Sequence, residues 1–238
     1  MSTVAEFTPL PSTDSQEEES GLLSRALHRS RNLVMSMRGY AELIEKGEAG
    51  PRKQEEWARR IVSQLDRLDH LYSRMEELRP VDGAVGQVSL ALAVRAARGR
   101  LFDRLDRSAA QVPVRMEIEA DPLVRADGEA LTQALVALLE NACEVTDPPD
   151  EVVVRLARVD STEWSLRIVD AGPGLDARWV HRIGEPFFSR KPGHMGLGVF
   201  TSRTLLARHG LELILVDRPE GGTVAIIRQR QQPSGGDR

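Results

Sequence analysis

The chain has 238 residues, enough for one large domain or two small ones, and 41% hydrophobic with 29% charged residues is an ordinary globular composition. A net charge of -4 excludes the broad basic field that nucleic-acid binding needs, and the lone Cys143 excludes an internal disulfide framework. No apolar run approaches the roughly 20 residues of a membrane span and no basic-then-apolar leader is present, so the expectation is a cytoplasmic chain with no membrane insertion and no nucleic-acid partner.

Residues 1–19 are polar, proline-containing and acidic at their end, and are expected to form a disordered tail. The carboxylates of "DSQEEES" also suit the start of a following helix. From Leu23 the pattern is helical: Leu23, Leu27, Ser30, Val34, Met37, Ala41 and Ile44 alternate in fours and threes and predict one seam. "KGEAGP" (46–51) breaks it, and Trp57, Ile61, Leu65, Leu68, Tyr72, Met75 and Leu78 predict a second helix stopped by Pro80. Two long helices with a short connection make an antiparallel hairpin over residues 20–80. A lone hairpin buries its seams poorly, so two copies are expected to pair as a dimeric four-helix bundle. Packing of the hairpin on the rest of its own chain is the alternative.

Residues 81–88 read as a linker by their glycine and proline content. Beyond it, "QVSL", "VPVRMEIEA", "LVRAD", "EVVVRLARV" and "EWSLRIVD" read as strands, and "ALAVRAARGRLFDRL", "DGEALTQALVALLENACEVT" and "GLGVFTSRTLLARHG" as helices. "LELILVD" and "GGTVAIIRQR" form a terminal hairpin around "RPEGG". Strands and helices outside strict βαβ alternation predict an α/β sandwich over residues 89–230, one mixed sheet with helices on one face, and hence an α+β chain overall. Residues 231–238 are expected to be a disordered tail.

Three stretches in this second domain carry chemistry. Asn141, in "LLENACEVT", is an amide in an apolar helix and needs a polar partner: either it closes the helix end or it offers an oxygen to Mg²⁺. "VDAGPGL" (169–175) follows a strand; Asp170 is placed to accept from an exocyclic amine such as adenine presents, and Gly172 and Gly174 allow a tight turn and close approach of a flat ligand. An ordinary strand-ending turn is the plain alternative. In "EPFFSRKPGHMGLGVF", Gly196 and Gly198 open a helix whose amides suit phosphate, Arg190 and Lys191 add positive charge, and the loop has the length of a mobile lid. The G-x-x-x-x-G-K-[ST] spacing of a Walker loop is absent.

Taken in order, "ENACE", "DAGPGL", "EPFFSRK" and "MGLGVF" closely resemble the N, G1, F and G2 boxes of sensor histidine kinases, whose ATP-binding domain has the GHKL (Bergerat) fold. "LHRSRNLVMSMRGYAELI" is similar to their H box, and the resemblance spans about residues 22 to 230. It implies His28 as phosphoacceptor, Asn32 one turn on as a positioning group, and Asn141 as the Mg²⁺ ligand. It implies Asp170 on the adenine amine with Gly172 and Gly174 shaping that pocket, Lys191 approaching the phosphates, and Gly196, Leu197 and Gly198 lining the triphosphate side. Phe187 and Phe188 are expected to anchor the lid by packing.

Four positions depart from the pattern. Arg29 replaces the acid that usually follows the phosphoacceptor, and a guanidinium cannot act as a base. Leu33 replaces a common proline, which predicts a straighter helix. Ala137 stands one turn before Asn141, where these kinases often carry a second asparagine, and Glu140 and Glu144 are offset from the position of the glutamate base of ATP-hydrolysing GHKL proteins. His194 stands where the first glycine of the G2 box is usual, so either it crowds the phosphates or Gly193 takes that part.

The expected function is a histidine kinase that uses Mg-ATP to phosphorylate His28 and passes the phosphoryl to an aspartate of a response-regulator receiver domain, working as a homodimer. The receiver is expected to dock near Ser30, Arg31, Met35 and Arg38. The alternatives are a non-catalytic regulator that docks a receiver, another kinase or a sensor protein, and a histidine phosphotransferase. Arg29 favours these alternatives; the nucleotide boxes favour the kinase.

Overall fold

The computed structural model describes residues 15–47, 50–78, 84–101, 113–161, 163–191 and 194–230, with side chains from residue 21 onward. They divide into two compact units: the described residues of Pro9–Arg79 and Pro186–Leu197, and those of Pro80–Glu185 and Gly198–Arg238. Among the described residues no helix is long and apolar enough to cross a membrane.

In the first unit, α1 (Ser15–Glu45) and α2 (Pro51–Glu77) form the hairpin. Residues 15–19, assigned to the tail by composition, are instead the first residues of α1. The rest of that tail and residues 231–238 lie outside the described residues. Gly50 and Pro51, read as breakers, are the N-cap and first residue of α2, where a missing N–H costs nothing.

The seam of α1 differs from the one expected. Leu22, Ala26 and Leu33 are buried, while Leu23, Leu27 and Val34 are 54%, 59% and 49% exposed. Successive residues turn about 100° around a helix, so α1 carries two apolar stripes, and the predicted one lies largely outward. On α2, Trp57, Ile61, Leu68, Met75 and Leu78 are at least half-buried as expected, but Leu65 and Tyr72 face out and Leu71, at 1% exposure, is the residue the periodicity overlooked. Near the end of α2, Arg74 Nη1 donates to Glu77 Oε2 at 3.1 Å in a buried ion pair.

In the second unit, β2 (Val114–Ile118), β4 (Val152–Arg158), β5 (Trp164–Val169), β6 (Leu211–Asp217) and β7 (Thr223–Gln229) form a five-stranded mixed sheet. Its order is β2-β4-β5-β7-β6; β2 and β4 are parallel and the other neighbours antiparallel. Val152, Val154, Leu156, Leu166, Ile168, Leu213, Leu215 and Ile227 alternate along these strands and form one core with α3 (Leu90–Leu101), α4 (Gly128–Cys143) and α5 (Gly198–Arg208). The α+β class and the one-sided helical layer are as expected. The "QVSL" and "LVRAD" strands, β1 (Gly86–Ser89) and β3 (Leu123–Ala126), form a separate antiparallel pair outside the main sheet. β1 takes Gly86 to Val88 out of the expected linker.

Asp127 caps α4: its Oδ1 accepts from the N–H groups of Glu129 at 2.8 Å and Ala130 at 3.2 Å. Arg100, in the last turn of α3, donates to both carboxylate oxygens of Glu129 and holds that carboxyl below the usual carboxylate range.

Candidate functional site

Asp170 directly follows β5 and is 6% exposed. Its Oδ1 accepts the backbone N–H of Gly172 at 3.0 Å and of Thr223 at 2.9 Å. The Asp170 N–H donates to the Thr223 carbonyl at 3.0 Å, and its own carbonyl accepts from Arg218 Nη1 at 2.9 Å. Backbone donors from two elements therefore fix this carboxylate at the end of the strand.

The turn beyond it is close to solid backbone. A Cβ on Gly172 would lie 2.7 Å from Val145 Cγ2, and one on Gly222 (φ +92°) would lie 2.1 Å from the Asp170 carbonyl oxygen. Gly174 is left-handed at φ +78°, and Asp217 Oδ1 accepts the N–H of Leu175 beside it at 2.7 Å.

Thr146 ties this strand end to α4. Its hydroxyl donates to the Ala142 carbonyl at 2.9 Å and accepts the N–H of Ala171 at 3.2 Å. Asn141, half-buried, is the neighbour of Ala142 in the last turn of α4. α5 begins on the same helix: a Cβ on Gly198 would touch the Ala137 carbonyl at 3.9 Å, and Ser202 Oγ donates to the Ala134 carbonyl at 2.9 Å. Asn141, Asp170, Gly172, Gly174 and Gly198 thus belong to one tied assembly of the sheet unit. Thr146, Thr223, Gly222 and Arg218 complete it and escape a sequence reading; the "GGT" of the last hairpin was the available signal, and it reads as a turn.

Among the described residues no group of three or more His, Cys, Asp or Glu side chains is arranged to hold a metal. An oxygen-liking cation such as Mg²⁺, which keeps few protein ligands and binds phosphate oxygens, fits a single amide oxygen from Asn141 better than a larger ion that needs a protein cage. Cys143, two residues on, is 1% exposed, and burial pushes its thiol up to about 11, so it is a packing residue rather than a nucleophile.

The remaining predicted residues belong to the hairpin unit. His28 is exposed on α1, and the Asn32 side-chain amide donates to His28 Nε2 at 3.2 Å, one turn away. A ring that accepts this bond carries its proton on Nδ1. It is the one hydrogen bond of the His28 ring among the described residues. Arg29 is half-buried, about 100° around the helix from His28, and makes no ion pair among the described residues. Arg31, Met35 and Arg38 are exposed on the side of α1 nearer His28, with Arg38 paired to Glu42 at 2.7 Å. Ser30 turns away and donates to its own helix at the Ala26 carbonyl, 3.0 Å.

In segment 186–197, the Phe187 N–H donates to the Gly196 carbonyl at 3.0 Å. Phe187 is left-handed at φ +68°, a conformation that costs a non-glycine residue about 1–3 kcal/mol. Gly196 is left-handed at φ +67°, and a Cβ there would lie 2.3 Å from the Phe188 carbonyl oxygen. Met195 and Leu197 are buried, so any ligand contact from Leu197 falls to its backbone. Lys191 is half-buried; its N–H donates to Ser189 Oγ at 3.1 Å and its carbonyl accepts from the N–H of exposed His194 at 3.2 Å.

Residues 126–233 match the family model described as histidine kinase-, DNA gyrase B- and HSP90-like ATPase. Over 88% of its length the chain is 28% identical to the signal transduction histidine-protein kinase/phosphatase MprB of Mycobacterium sp. (strain KMS), covering 42% of that protein. Over 90% it is 23% identical to the signal transduction histidine-protein kinase AtoS of Escherichia coli (strain K12), covering 35%. The chain therefore spans about two-fifths of the length of these relatives. Its fold is that of the Acinetobacter baumannii histidine kinase AdeS, with a TM-score of 0.65 at 19% identity over 87% of this chain and 98% of that one.

Proposed function

We propose that this chain, which is similar to two-component sensor histidine kinases with a GHKL ATPase domain, binds Mg-ATP, phosphorylates His28 and hands the phosphoryl to a receiver-domain aspartate. Asp170 accepts the adenine amine, Gly172 and Gly174 form the tight turn that shapes that side of the pocket, and Lys191, Gly196, Leu197 and Gly198 serve the phosphates. Asn141 would hold Mg²⁺, which would supply positive charge against the charge that develops on the phosphates.

With the ring proton on Nδ1, His28 Nε2 holds the free electron pair, and Asn32 orients it until substrate arrives. Nε2 bonds to the γ-phosphorus as the bond to the β-phosphate oxygen breaks, and ADP leaves. A receiver carboxylate oxygen then takes the phosphoryl, and the imidazole is regenerated. The outward stripe of Leu23, Leu27 and Val34 supports a homodimer through the hairpin. A reaction that draws on ATP belongs in the cytoplasm.

The observation that carries this reading is Asp170, a buried carboxylate held by two backbone amides beside glycines that no side chain could replace. The test is incubation with Mg-ATP labelled at the γ-phosphate. The expected result is acid-labile label on the chain, absent from His28→Ala and from Asp170→Asn, with nucleotide binding retained by the first variant and lost by the second. Nucleotide binding without label would sink the autokinase. Arg29 favours a second reading, a histidine phosphotransferase: there label reaches His28 only from a phosphorylated partner.

A further inference from the structure

The face of the five-stranded sheet turned away from the helices is not a plain solvated surface. One row across it runs Glu117, Arg155, Arg167, Ile226 on β2, β4, β5 and β7, and the next runs Arg115, Val153, Val169, Val224. Arg155 and Arg167 are directly opposed across an antiparallel pair, a like-charge juxtaposition that destabilises a sheet unless an anion offsets it. Arg155 Nε donates to Glu117 Oε2 at 2.5 Å on its other side. Arg167 has Ile226 as its neighbour there, and it makes no ion pair or hydrogen bond through its side chain among the described residues.

A cavity of about 450 Å³ lies over these two rows. That volume falls within the range of small-molecule sites. Its floor is apolar, from Val153, Val169 and Val224. At one end Arg115 pairs with Glu151 at 2.7 Å, and at the other Arg218 pairs with Glu220 at 2.8 Å. Of the guanidiniums lining the cavity, Arg167 is thus the one without a carboxylate among the described residues. Asp150, Glu151 and Glu220 on the rim repel an extended polyanion, so the lining favours a small ligand with a single anionic head.

We propose that this groove binds a small organic anion: a carboxylate or phosphate head seated between Arg155 and Arg167, with an apolar body on Val153, Val169 and Val224. A planar guanidinium fork suits either head, and the two heads are told apart by the probe. The site is independent of the nucleotide reading, since it lies on the opposite face of the sheet from α4 and α5.

The experiment is a titration of the full chain, labelled with ¹⁵N-arginine, with phenyl phosphate, phenylacetate and inorganic phosphate in turn, following the arginine Nε–Hε signals. Arg155→Lys and Arg167→Lys variants assign the two resonances. The expected result is saturable movement of both signals with an aromatic anion, at a dissociation constant below about 1 mM. Inorganic phosphate, lacking the apolar body, should bind at least about fivefold more weakly, and Arg167→Ala should weaken the aromatic probe about tenfold. Arg167 is exposed, so the alanine variant should keep its circular dichroism spectrum and melting temperature, which separates loss of the site from loss of the fold. Whichever aromatic head binds tighter identifies the ligand class. Failure of both to saturate by roughly 10 mM, movement confined to other arginines, or unchanged affinity in Arg167→Ala overturns the proposal.

Discussion

A methyl group at position 172 has nowhere to go: it would meet Val145 Cγ2 at 2.7 Å and Cβ at 2.8 Å. Gly172→Ala should therefore destabilise the sheet unit by roughly 1–3 kcal/mol and weaken nucleotide binding, because the same turn donates the N–H that holds Asp170. Val145→Ala in the same chain should recover part of the stability, only part because alanine keeps the Cβ at 2.8 Å and the carbonyl at 3.0 Å from the new carbon. Urea titrations of the two single variants and the double variant measure the coupling; strictly additive effects would contradict the contact. Asp170 itself was legible from the order strand, Asp, x, Gly, x, Gly. Its partners were not. Thr223 lies 53 residues away and Thr146 serves through a single hydroxyl, so no local pattern marks them.

Helices show the same limit in another form. The periodicity of α1 was real, yet Leu23, Leu27 and Val34 face outward while Leu22, Ala26 and Leu33 are buried. A helix with two apolar stripes gives one sequence signal, and only a partner's position says which stripe meets it. The two should respond differently to substitution. Leu71→Ala, inside the hairpin, should cost about 2–4 kcal/mol of stability, read by chemical denaturation. Leu27→Glu with Val34→Glu should leave helicity unchanged and shift sedimentation toward a monomer; a species unaltered by both charges would remove the dimer reading.

At the end of α5, burial pushes the His209 imidazole down, Asp127 opposes this and Arg208 adds to it. The folded chain thus binds this proton less readily than the unfolded one. His209 contributes stability that is full above the ordinary histidine range and is lost as pH falls through that range to its lowered value. His209→Gln should flatten the stability profile across that window and nowhere else, as denaturation midpoints between neutral and acid pH would show.

On the scale of the whole chain, a hairpin and a sheet unit with separate interiors predict unfolding in more than one step. Trp57 reports the hairpin and Trp164 the sheet, so single-tryptophan variants resolve the two transitions by fluorescence. Mg-ADP at a hundred times its dissociation constant should raise the Trp164 transition by about 2.7 kcal/mol. Coincident transitions that both shift would contradict independent units. The α+β class, the helical hairpin and the individual strands of the main sheet were legible because each element carries its own period and its own stop residues. The separate β1–β3 pair was not, because two short strands pair only through contacts that a single sequence leaves open.

The carboxylate at Asp170 is held by the backbone of Thr223, and that residue lies in the last strand of the sheet. Ribosomes make chains from the amino end. The helix bearing His28 is therefore synthesised, released and able to fold while the clamp on Asp170 is still in the exit tunnel. A growing chain in that interval has the histidine-bearing helix but not the backbone clamp on Asp170. On the proposed function, the order of translation alone keeps an immature copy from binding ATP before its sheet has closed.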